Sequence, residues 1–436
     1  MRWFVSVVVS FGTLTGSAAT LSASSDSLTH LLNLVKDERL TECLRYVNDS
    51  DTNFATTADV LYLTAVCALR ANRPFLARRQ LNKLLERYPQ YPGAWFTEAQ
   101  ADYLLHDKAA LAISRAALKS AALPPQQQTE AKQWLESLDD SDHRHLVSLS
   151  GDVGAGHTSN ANSGSAGSDY LGTPIPTLYR QAASDFSEAS IGIVGAHALG
   201  SFQDLLGAAR VFRRSYFDAP FVNQTLVAAA VSYRRPFHDW SAEYSISGFD
   251  ERIAGIPQRR FGALEFAAAR RVSDLWELSV VGRAGRLDYR IATRPDFDVW
   301  RFFWNANVSR LVGKTLKNRV GAGTYGGGDE SVIRDSAYGN SRLGVRAFAD
   351  YQLGAHFTVS AEAALSVAQF DGNGTFGGVR RLDKQSSLVA IGNWKWNPAS
   401  RWSIQARAIH QNVNSNVSVF LFDQNELGIY VRLQDK

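Results

Sequence analysis

From about residue 145 to the C-terminus the chain repeats one unit some fourteen times: roughly ten residues of alternating apolar and polar character, then a connector. Side chains of a β-strand point to opposite faces in turn, so a period of two places every second residue on one surface. In 298–309, Trp300, Phe302, Trp304, Ala306 and Val308 share one face, while Arg301, Asn305, Asn307 and Ser309 share the other. The stretch 239–248 sets Trp240, Ala242, Tyr244 and Ile246 against Ser241, Glu243, Ser245 and Ser247, and 357–367, 401–408 and 426–433 behave alike.

The connectors sharpen this reading. After a first strand at 145–157, short turns are expected at 201–203, 236–238, 273–274, 313–315, 354–356 and 397–400. Between them lie longer polar segments at 158–186, 216–222, 250–257, 291–297, 327–340, 371–384 and 412–424. Turn formers dominate those segments, as expected where φ is positive or preset. Strands of this period with alternating short and long connectors predict an outer-membrane β-barrel, with tight turns at one rim and loops at the other. An even strand number leaves no open edge, which hydrocarbon has nothing to satisfy.

Ahead of the barrel the period changes from 2 to 3.6. Residues 26–138 are rich in Ala, Leu, Arg and Gln and carry turn signals at Asn72-Arg73-Pro74, Tyr88-Pro89 and Pro124-Pro125. A 34-residue tetratricopeptide unit beginning at Ala58 puts Leu61, Ala65, Ala68, Ala77, Leu81 and Leu84 on its packing positions. A second unit from Pro92 places Trp95 and Ala99; a generic helical hairpin domain is the plainer alternative. The expected fold class is therefore α plus transmembrane β: a short N-terminal tetratricopeptide-like helical domain, then an antiparallel barrel of about fourteen strands. Residues 1–19 read as a secretory signal peptide, with cleavage as late as residue 23; 26–138 is the helical domain, 139–144 a linker and 145–436 the barrel.

Composition narrows the chemistry. No internal stretch approaches the roughly 20 apolar residues of a membrane helix. Trp276, Trp300, Trp394, Trp396 and Trp402 stand near strand ends, where rings suit a lipid headgroup layer. The net charge of +4 gives no independent support for nucleic-acid binding. Arg234, Arg283, Arg301, Arg342, Arg346 and Arg407 fall in the inner phase or at strand ends and are the candidate lumen-facing cations. Carboxylates such as Glu243, Glu265, Asp350 and Glu362 are available as partners, so a salt-bridged interior is preferred to an anion-selective channel. Cys43 and Cys67 are the only cysteines, and either one disulfide or two buried thiols fits them.

No catalytic, cofactor-binding or metal-binding residue is assigned. Gly321-Ala322-Gly323-Thr324-Tyr325-Gly326 mimics a dinucleotide fingerprint but sits in an alternating strand with no helix after it. His157, His197, His238, His356 and His410 are dispersed among strands and turns, and the chain is expected not to be an enzyme.

Two segments carry a family resemblance. The barrel opens with Ser150-Gly151-Asp152-Val153-Gly154-Ala155-Gly156-His157-Thr158-Ser159-Asn160-Ala161-Asn162 and closes with Ser415-Asn416-Val417, Phe420-Leu421-Phe422-Asp423 and a last strand at 426–433. With the order of leader, helical repeats and barrel, the chain resembles the surface lipoprotein assembly modulator (Slam) family of Gram-negative outer membranes. It departs from that pattern at His157 and Thr158, where the family tends to have Tyr and Asp, and at Gln424 and Asn425. The resemblance implies an outer-membrane translocator whose periplasmic helical domain holds a client lipoprotein or secreted protein. Outer-membrane lipid, the barrel-assembly machinery and periplasmic chaperones would be its further partners. An exopolysaccharide-export porin and a passive diffusion porin with a periplasmic helical domain are the rival readings. Asn160, Asn162, Asn416 and Asp423 are expected to form loops and turns rather than contacts.

Overall fold

The computed structural model describes residues 22–49, 55–120, 123, 125–141, 145–170, 172–200, 202–237, 240–290, 297–313, 316, 318–332, 338–372 and 379–434. The expected signal peptide at 1–19 lies outside the described residues, as do His238 and residues 142–144.

Among the described residues the N-terminal part holds seven helices: α1 Ser22–Lys36, α2 Leu40–Asp49, α3 Ala58–Arg70, α4 Pro74–Arg87, α5 Ala94–Leu104, α6 Lys108–Ser120 and α7 Pro125–Ser141. The turn between α3 and α4 follows from local chemistry. Asn72 takes a left-handed φ of 58°, which Asn tolerates better than most side chains, and Pro74 restarts the chain at a first-turn position that needs no N–H donor. Leu61, Ala65, Ala68, Ala77, Leu81 and Leu84 are all buried in one core with Leu31, Val35 and Val60. Cys43 on α2 and Cys67 on α3 are joined by a disulfide across a Cα–Cα distance of 6.5 Å.

The rest is a closed antiparallel barrel of fourteen strands. In chain order these are β1 His145–Thr158, β4 Ser184–Gly200, β5 Gln203–Tyr216, β6 Gln224–Phe237, β7 Trp240–Ile253, β8 Ile256–Arg271 and β9 Trp276–Tyr289. They continue with β10 Val299–Val312, β11 Asn318–Ser331, β12 Asn340–Leu353, β13 Phe357–Phe370, β14 Leu382–Trp394, β15 Trp402–Ser415 and β16 Phe422–Gln434. Two short strands, β2 Asp169–Tyr170 and β3 Thr173–Pro174, form a hairpin inside the first long connector. Each barrel strand pairs with its sequence neighbour, and β1 closes the ring against β16.

Most strands run to 14 residues rather than about ten, and the extra length comes from segments expected to be loops. At 250–257 the strands continue to a two-residue turn, Ala254-Gly255, both at positive φ. Glu251 pairs with Arg259 across β7 and β8 there, so charge that reads as loop instead extends the sheet. This also breaks the expected alternation, since one connector at the long-loop rim is a tight hairpin. In 327–340, Gly327, Gly328 and Asp329 belong to β11, and in 412–424 β15 runs on to Ser415.

Candidate functional site

Side chains that bridge distant strands identify the inner face. Arg214 on β5 donates to Glu426 on β16 at 2.8 Å, with β4 and β1 between them, and Arg407 on β15 donates to Glu188 on β4 at 3.1 Å. Three strand spacings along the wall amount to ~14 Å, beyond the reach of an Arg–Glu pair except along a chord through the concave inside. Registered partners share a face, so the inner set can be followed around the ring. The opposite face carries Ile191, Ile246, Leu264, Trp304, Leu343, Val345, Leu365, Leu427 and Ile429, all exposed. Trp300 bounds this apolar band at the long-loop rim; Trp276, Trp394 and Trp402 bound it at the short-turn rim. A closed barrel with such a belt is built to span a bilayer.

The bridging network sits over β1, and glycine makes room for it. The inward positions of β1 include Gly154 and Gly156; a Cβ there would lie 2.4 Å from the Tyr430 ring and 2.6 Å from the Phe186 ring respectively. Tyr430 and Phe186 therefore lie flat across the first strand, with Arg407 stacked at 4.6 Å on the one and Arg214 at 4.3 Å on the other. Glu188 and Glu426 are 2% and 3% exposed and each pairs with both arginines. Two cations and two anions thus cross the seam where the ring closes.

The six candidate arginines all lie in the inward phase. Arg234 pairs with Glu243 at 3.0 Å, and Arg283 pairs with Glu265. Arg301 makes a bidentate pair with Asp329, both bonds at 2.8 Å. Arg346 donates to Asn307 at 2.9 Å, passing over Gly323 of β11, and also reaches Glu362 at 3.3 Å. Arg407 belongs to the seam network. Arg342 alone among the six has no carboxylate partner among the described residues. Two cavities open along this wall, one of about 430 Å³ beside Arg319, Arg346 and Glu362, the other of about 530 Å³ beside Arg283, Arg301 and Arg342.

At the short-turn rim the barrel grips the helical domain. Asp274, in the turn between β8 and β9, accepts hydrogen bonds from the backbone N–H groups of Phe75 and Leu76, at 2.9 and 3.1 Å. These are orphan donors of the first turn of α4, whose own N-cap residue, Arg73, supplies no side-chain cap. Arg271 donates to the Asn72 carbonyl at 2.8 Å. Burial pushes the Asp274 carboxyl up, against the lowering effect of those backbone donors. A second contact comes from Phe202 in the turn between β4 and β5, whose ring lies 5.1 Å from Tyr103 and 5.2 Å from His106. Burial, with the nearby charge of Arg234, lowers the His106 pKa.

The opening and closing segments meet at the other rim. Asn160 donates to the carbonyls of Gly164 and Asp423 at 3.0 and 3.1 Å, and Gln424 donates to the Thr158 hydroxyl at 3.0 Å. Asn162 holds Arg180 and Ala182, while Asn416 holds Leu382 and Arg380. His157 lies beside Asp185, His410 beside Asn425 and His356 on the Lys395 carbonyl, while His197 stacks on His145. Among the described residues no three His, Cys, Asp or Glu side chains stand together as metal ligands. Sequence reasoning missed Glu188, Arg214 and Tyr430; glycine at alternate positions of the first strand was the available signal. Nothing local marks Asp274 as a cap for a helix 199 residues away.

No family model and no curated protein matches the chain. Among solved structures it is similar to OmpT, an outer membrane protein of Vibrio cholerae, at 9% identity and a TM-score of 0.38, covering 67% of this chain and 99% of that one. It is also similar to the anion-selective porin from Comamonas acidovorans, at 9% identity and a TM-score of 0.36 over 67% and 100% of the two chains. A third is CdiB from Acinetobacter baumannii, at 9% identity and a TM-score of 0.34 over 66% and 60%.

Proposed function

We propose that the chain is an outer-membrane translocator that delivers client lipoproteins or other client proteins to the bacterial surface. The clasp at the short-turn rim carries this reading, because it holds a helical domain against one sector of a membrane-spanning barrel. The helical hairpins would act as tetratricopeptide-like units in the periplasm and present a client segment at that rim. The Cys43–Cys67 disulfide suits that oxidising compartment, and the interlocked opening and closing segments are those that resemble the Slam family. Folding of the client outside would give direction without nucleotide.

Deleting the gene and comparing surface proteins by protease shaving and mass spectrometry of intact cells tests the reading. Loss of one or two surface proteins, their accumulation in the periplasm and recovery on complementation are expected. An unchanged surface proteome under expressing conditions would sink it. A passive diffusion porin is the second reading, favoured by the lumenal cavities, and it predicts steady conductance in planar bilayers with no client present.

A further inference from the structure

The inner wall near the long-loop rim is built in rows. One row runs Glu265, Arg283, Phe303, Gly327 and Arg342 across β8 to β12, each in register with the next. The row above it runs Arg301, Asp329 and Asn340. Gly327 interrupts the first row with a notch between an aromatic ring and a guanidinium. Its φ of +147° and a would-be Cβ 2.0 Å from the Phe302 carbonyl oxygen exclude any side chain there. The cavity of about 530 Å³ opens over it, lined also by the backbone of Gly326 and Gly328, whose missing side chains belong to the opposite phase of the strand. Phe249 and Phe261, with ring centroids 5.4 Å apart, supply an apolar flank.

Charge around the notch is not balanced. Arg283 is neutralised by Glu265 and Arg301 by a bidentate Asp329, which also accepts from Asn340 at 3.3 Å. Arg342 borders the same cavity, is exposed to it and has no carboxylate partner among the described residues. Two ion pairs, one of them bidentate, thus frame a cation with no carboxylate partner among the described residues, next to rings that offer stacking area.

We infer that this notch is a binding site for a small organic anion with a flat apolar body, such as an aromatic carboxylate, whose anionic end pairs with Arg342 while its ring lies on Phe303 above Gly327. Guanidinium and carboxylate match as two parallel charge-assisted hydrogen bonds, and the neighbouring aromatic faces reward a planar ligand over a compact one. The site goes beyond the translocation reading: it concerns a small molecule in the lumen wall, and either can fail without the other.

Benzoate is the probe, titrated against the full chain in detergent micelles and followed by ligand-observed saturation-transfer NMR, with acetate and toluene as comparison ligands. Saturable benzoate binding is expected, with acetate and toluene each weaker by roughly tenfold or more. Arg342→Gln should weaken benzoate roughly 10- to 100-fold, whereas Arg342→Lys should weaken it less, because a lysine keeps the charge and loses the fork. Phe303→Ala should weaken benzoate and leave acetate unchanged. Heat-modifiable gel migration confirms that each variant is a folded barrel. No saturable benzoate binding by the parent protein, equal affinity for acetate, or an unchanged affinity in folded Arg342→Gln would each overturn the assignment.

Discussion

Within α5 two carboxylic acids, Glu98 and Asp102, stand one turn apart and are almost fully buried. Burial, with Asp102 adding to it, pushes Glu98 up to about 8; burial pushes Asp102 up to about 6, against Ser114 and Arg78. Arg78 lies 3.7 Å from Asp102 and is shared with Asp107 at 2.9 Å, so the cation does not neutralise the pair. The sign of the pH effect follows. Between the ordinary Glu value near 4.5 and the folded value of about 8, the folded chain holds a proton that the unfolded chain has released. Stability of the helical domain therefore falls as pH rises through that window and levels off above it. Glu98→Gln should raise stability at pH near 8 by about 2–4 kcal/mol and flatten the slope. The helical circular-dichroism transition of the full chain, followed over pH, reads this directly; an unchanged midpoint at the alkaline end contradicts it. The 3.6-residue period made the helix legible in sequence. The burial of these acids was not legible, because α5 is covered from residue 96 to 102 on nearly every side by α4, α6 and α7.

At the level of elements, the alternating pattern located the strands because lipid on one side and lumen on the other impose a period of two along their whole length. Strand ends were less legible: charged or glycine-rich stretches such as 250–257 and 327–331 look like loops until their cross-strand partners are known. Helix α4 shows the same limit. Its start was readable from Pro74, yet its cap comes from Asp274 in the barrel. Asp274→Ala should leave two first-turn N–H groups unsatisfied and cost about 0.5–2 kcal/mol locally. Hydrogen exchange of the full chain should then accelerate at the first turn of α4 and in the turn between β8 and β9, with α3 and α6 unaffected; Asn at the same position should retain most of the protection. Protection that is equal in parent and Ala variant would show that the clasp does not depend on this carboxylate. Since Arg271 and Phe202 hold the domain as well, a loosened rim rather than a detached domain is the expected result.

For the whole molecule, the decisive place is the seam between β1 and β16, where the first and last strands of the barrel pair and close the ring. Their register spans nine residue pairs, from Ser150–Gln434 to Thr158–Glu426, whereas β1 and β4 share fourteen. The shorter ladder is reinforced from inside by Arg214, Arg407, Glu188 and Glu426, which tie β15, β16, β4 and β5 together over the glycines of β1. Because the four charges balance two against two in a nearly dry setting, removing one carboxylate should cost more than an ordinary ion pair is worth. Glu188→Gln leaves two buried guanidinium groups sharing Glu426 and should destabilise the barrel by about 3–5 kcal/mol. A lower urea midpoint and a lower temperature of the heat-modifiable band shift would register the loss. Adding Arg407→Met restores a one-to-one pair between Arg214 and Glu426. The double variant should therefore recover at least about 1 kcal/mol relative to the sum of the single losses. Strictly additive losses would mean that the four side chains act as separate contacts rather than as one coupled network.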